Sequence, residues 1–70
     1  MKITTEGVDR FIKEGRLLGK GDSEKGCWYE AYELDGMFAV LMVSDWGVDW
    51  GEFITSGEVE SYVELAVSHD

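Results

Sequence analysis

Cys27-Trp-Tyr-Glu-Ala-Tyr-Glu-Leu34, then Asp35-Gly36, then Met37-Phe-Ala-Val-Leu-Met-Val-Ser44 is the stretch on which the fold turns. Asp-Gly between two runs of aromatic and β-branched residues is a strong hairpin signal, because both central residues of a type I′ turn need φ > 0. A turn at Asp35-Gly36 pairs Leu34 with Met37, Tyr32 with Ala39, Glu30 with Leu41 and Trp28 with Val43. The opposite face then carries Glu33 with Phe38, Ala31 with Val40, Tyr29 with Met42 and Cys27 with Ser44. Both faces are largely apolar, whereas a hairpin solvated on one side alternates apolar with polar, so both need cover.

Working outward, residues 4 to about 18 have the spacing of an amphipathic helix. Thr4 is placed to cap it, Ile3 to staple onto Val8, and Gly19 to stop it. Val8, Phe11, Ile12 and Leu18 fall on one side. Glu6 with Arg10 and Asp9 with Lys13 form i,i+4 pairs. Residues 19–26, with three glycines, read as a loop. After the hairpin, a tandem Asp-Trp-Gly at 45–47 and 49–51 predicts an irregular third strand over about 46–54. The last segment predicts a helix. Thr55 or Ser56 caps it, Thr55 with Glu58 fits a capping box, and Val59, Tyr62, Val63, Ala66 and Val67 line one side.

The fold expected is therefore α+β: a small antiparallel sheet of two or three strands between N-terminal and C-terminal helices, order α-β-β-(β)-α, in one domain spanning 1–70. Seventy residues form a marginal core, and one cysteine with one histidine supplies neither a disulfide nor a zinc site. A homodimer is the remaining staple. Both helices on one sheet face would leave the other to a second copy, through Tyr29, Phe38, Val40, Met42, Trp46 and Trp50.

Charge is segregated along the chain. All six basic residues precede Gly26, alongside five acids, for a net +1. The last 45 residues hold ten acids and no lysine or arginine. A field of that sign attracts cationic partners and repels nucleic acid and anionic membranes. Carboxylates two apart on a strand or four apart on a helix lie roughly 6–7 Å apart. That is a spacing on which a Lys/Arg surface can dock.

Catalytic equipment is missing. His69 sits next to the C-terminal residue with no nucleophile in sequence context, and Cys27 reads as a buried structural thiol. Asp45, Asp49 and Glu52 lack the alternating oxygen ligands of a calcium loop, and the glycines make no phosphate-binding pattern. No enzyme activity, metal or cofactor is expected. The N-terminal residues lack the apolar run of a secretory signal, and the longest apolar run, 37–43, is too short for a membrane helix. The expected location is the cytoplasm.

A small single domain with basic residues confined before Gly26, ten uncompensated acids after it and no catalytic motif resembles the small acidic bacteriophage proteins that mimic DNA. The resemblance covers the whole chain in composition and arrangement. It implies a host-takeover inhibitor that occupies the DNA-binding surface of a basic host protein. Restriction enzymes, CRISPR effectors, RNA polymerase and the histone-like protein HU are known targets of the class, and a two-fold inhibitor suits HU. The acids expected to carry the contact are Glu33, Asp35, Asp45, Asp49, Glu52, Glu58, Glu60 and Glu64. Two alternatives stand beside this. One is an immunity-like, antitoxin-like, anti-restriction or anti-CRISPR inhibitor of one enzyme, anchored by Trp46 or Trp50. The other is a dimerisation module whose acidity serves only solubility.

Overall fold

A computed structural model describes residues 2–22 and 26–65. The chain runs α1 (Thr5–Glu14), β1 (Arg16–Asp22), β2 (Cys27–Leu34), β3 (Met37–Ser44), β4 (Gly47–Ile54), a 3-10 turn (Ser56–Glu58), α2 (Val59–Tyr62) and β5 (Glu64–Leu65). The strands form one sheet in the order β4-β3-β2-β1-β5. Its centre is the hairpin, with every one of the eight expected pairs from Cys27↔Ser44 to Leu34↔Met37 in register. Asp35 at φ 53 and Gly36 at φ 80 supply the two left-handed residues of the turn. The Glu33 carboxylate accepts the Gly36 N–H at 3.0 Å and ties the turn down.

Three expectations about the flanks are corrected. The N-terminal helix ends at Glu14, not near residue 18, because Gly15 is already extended (φ −78, ψ 169) and donates its N–H to Phe11 O. Arg16–Asp22, expected as helix end and loop, is a strand paired with β2. Without it the outer N–H and C=O groups of β2 would lack partners. Gly21, which read as a loop marker, gives close approach instead. A Cβ on Gly21 would clash with the Tyr62 carbonyl oxygen. The C-terminal helix, in turn, is a single α-turn. Val63 breaks it in extended conformation (φ −138, ψ 157), and Glu64–Leu65 then pairs with Gly19 and Lys20 of β1. Ala66 and Val67 lie outside the described residues.

The third strand expected over 46–54 forms as β4, with a register shift against β3 between Met42 and Val43. The shift lets Val48 face the same side as Gly51, three positions on, where a regular strand would put them on opposite faces. The sheet thus has five strands, two of them formed by segments read as helix or loop.

The helices also lie on opposite faces. On one, Val8 and Phe11 of α1 cover Tyr32, Ala39 and Leu41, with Ile3, Leu34, Val43 and Val48 around them. On the other, Val59 and Val63 cover Ala31, with Leu18, Tyr29, Phe38, Ile54 and Tyr62. The two apolar hairpin faces are each covered within one chain. The open face expected for a second copy is filled by α2 and the segments flanking it, and Val40, expected there as an interface residue, is 0% exposed. Thr4 caps α1 as expected, accepting the Gly7 N–H at 3.1 Å, and Ile3 packs on the cluster that holds Val8.

Candidate functional site: the acidic edges and the Trp46 turn

Tertiary structure sorts the acids into those with intramolecular partners and those that form no ion pair among the described residues. Arg10 on α1 reaches the turn acid Asp35 at 3.4 Å as well as Glu14 at 3.7 Å, and Arg16 on β1 reaches Glu33 at 3.5 Å. Segregation along the sequence is undone at this end of the sheet, where α1 and β1 carry the cations back to the hairpin turn. Exposed pairs of this kind stabilise by only about 0–1 kcal/mol. Their larger effect is to neutralise two of the acids expected to meet a partner. Glu58 closes the expected capping box, accepting the Thr55 N–H at 2.9 Å and its hydroxyl at 3.1 Å. Those bonds hold its carboxyl below the usual carboxylate range.

Glu30, which the sequence counted only as charge, has a structural place. Its half-buried carboxylate accepts Trp28 Nε1–H at 2.8 Å and the Tyr32 hydroxyl at 2.7 Å. Burial, and then the bond to Glu30, push the Tyr32 hydroxyl well above its ordinary value. Glu52 lies on β4 opposite Val40, where Lys2 forms a β-bridge to it.

Asp45, Asp49, Glu60 and Glu64 are exposed and form no ion pair among the described residues. They do not make one ribbon. Asp45 and Asp49 belong to the β4 edge, and Glu60 and Glu64 to the α2–β5 side. Four inter-strand steps of about 4.8 Å, roughly 19 Å, separate the two edge strands.

The tryptophans differ sharply. Trp50 packs edge-on against Tyr29 (centroids 6.3 Å apart), and Tyr29 against Tyr62 (5.3 Å). These rings belong to the chain's own packing. Trp46 is 96% exposed on the β3–β4 turn. The Ser44 hydroxyl holds that turn, accepting the Trp46 N–H at 3.2 Å and donating to the Gly47 carbonyl at 3.3 Å. Gly47 takes φ 120, a conformation L side chains rarely adopt. An indole displayed on a tethered turn beside Asp45 is free to meet a partner without reordering its backbone.

A groove of about 260 Å³ opens between the start of α1 and β4, lined by Ile3, Val8, Val48 and Trp50 with Asp9 and Asp49. Asp9 was read from sequence as the partner of Lys13, so nothing in the spacing marked it for this place. It shares the groove with Asp49 because the start of α1 brings Val8 beside Gly51 of β4. Of the other singled-out residues, Cys27 is half-buried with a free thiol, not fully buried, and His69 lies outside the described residues. Among the described residues no three potential ligands converge on a metal position, and no helix is long and apolar enough to cross a membrane. No family model matches the chain, and neither a curated protein nor a solved structure is similar to it.

Proposed function

We propose that this chain is an acidic decoy that occupies the DNA-binding surface of a basic protein and keeps DNA off it. One observation carries the reading: Asp45, Asp49, Glu60 and Glu64, exposed and in no ion pair among the described residues, lie in a segment holding no lysine or arginine. A Lys/Arg surface that has shed counterions from DNA finds the same sign of charge here. The contact set is narrower than the eight acids taken from sequence, because Glu33, Asp35 and Glu58 have partners inside the chain and Glu52 is half-buried on β4 beside Lys2. A dimeric DNA-architectural protein such as HU is the first target to test. Homodimerisation would double the charge of −9 per chain and match a two-fold target.

The test is release of a labelled duplex from HU, titrated with this protein at several salt concentrations, with sedimentation equilibrium on the free chain. Displacement that weakens with salt is expected. Four peripheral charge contacts at about 0.2–1 kcal/mol each predict a loss of about fourfold to several hundredfold in the Asp45→Asn, Asp49→Asn, Glu60→Gln, Glu64→Gln variant. Unchanged displacement by that variant would reject the reading. The exposure of Trp46 favours a second reading, a dedicated inhibitor of one enzyme. In that case Trp46→Ala abolishes binding, costing 2 kcal/mol or more in the manner of a hot spot, while the four amide changes are tolerated.

A further inference from the structure

We infer that the groove between α1 and β4 is the seat for one arginine or lysine side chain of the partner protein. The inference rests on the reading that the partner is basic and assigns where its key cation goes. Drug-sized ligands occupy pockets of about 300–1,000 Å³, and about 260 Å³ suits a single long side chain instead. Its walls have two characters. Ile3, Val8 and Val48 are apolar, while Asp9 and Asp49 add two carboxylates, neither in an ion pair among the described residues. An arginine or lysine has the matching division: an aliphatic stem that lies along apolar surface and a charged head that seeks carboxylates. A neutral apolar group would leave both aspartates desolvated without a partner, and an anion would be repelled.

The seat is tested without any partner, by titrating the ¹⁵N-labelled full chain with N-acetyl-arginine amide at constant ionic strength and following amide shifts. Saturable shifts confined to Val8, Asp9, Val48, Asp49 and Gly51 are expected. They should vanish in the Asp9→Asn, Asp49→Asn variant and persist in Glu60→Gln, Glu64→Gln, while N-acetyl-norleucine amide produces none. A dispersed spectrum and an unchanged melting temperature show that each variant is folded. Shifts that fail to saturate, that centre on Glu60 and Glu64, or that survive Asp9→Asn, Asp49→Asn overturn the inference. Failure here with DNA release intact refutes the groove alone. Saturation here without DNA release refutes the decoy reading and leaves the cation seat standing.

Discussion

At the residue scale, identical side chains have different fates, and burial with its hydrogen bonds decides which. Glu30 and Glu33 are three positions apart on one strand and face opposite ways. Glu30 holds Trp28 Nε1–H and the buried Tyr32 hydroxyl, and Glu33 holds a turn amide near exposed Arg16. Glu30→Ala strands a buried hydroxyl, at a cost of about 1–3 kcal/mol. Glu33→Ala exposes its donor to water and costs less than about 1 kcal/mol. Urea denaturation of the two variants checks this, and equal losses would contradict it. The Glu30 network was not legible in the sequence. A glutamate between two aromatics at i±2 lies on one strand face with them, but only burial under α1 makes its bonds matter.

At the element scale, glycine carries opposite meanings that sequence spacing does not separate. Gly36 turns the hairpin at φ 80, as the Asp-Gly pair announces. Gly21 instead clears space for the backbone of Tyr62 and Val63, from a strand that looked like a loop. Gly21→Ala therefore overpacks a contact made by backbone on both sides. Overpacking typically costs 1–3 kcal/mol, and here the loss is expected at the upper end, about 3 kcal/mol. Gly57, with nothing within 4 Å of an added Cβ, is the control, and Gly57→Ala should change stability by less than about 0.5 kcal/mol. The C-terminal segment teaches the same lesson. Its apolar spacing is helical through Val67, yet pairing at the free edge of β1 takes Glu64 and Leu65, and the helix stops after Tyr62.

For the whole molecule, the charge that supports the decoy reading also opposes the fold. A net −9 on 70 residues repels itself, and the exposed acids at both sheet edges are screened by salt within about 10 Å at 0.1 M. The melting temperature should rise by a few degrees between 10 and 150 mM salt, since about 1 kcal/mol shifts a domain of this size by roughly 4–8 °C. The Asp45→Asn, Asp49→Asn, Glu60→Gln, Glu64→Gln variant should lose much of that dependence. A salt-independent melting temperature would mean that Arg10, Arg16 and the remaining cations already balance the field.

The sequence by itself determined the hairpin down to each of its eight pairs, the cap of α1, the capping box at Thr55 and the need to cover both hairpin faces. These follow from local rules: a two-residue turn sets register, side chains alternate with period two, and caps act within one helical turn. Only tertiary structure decided that residues 16–22 form a strand, that the two helices take opposite faces and that Arg10 and Arg16 return to the hairpin turn. It alone placed Asp9 beside Asp49. Each of those depends on segments far apart in the chain meeting at a strand edge or across a sheet, where the demand for backbone hydrogen bonds and apolar cover overrides local spacing.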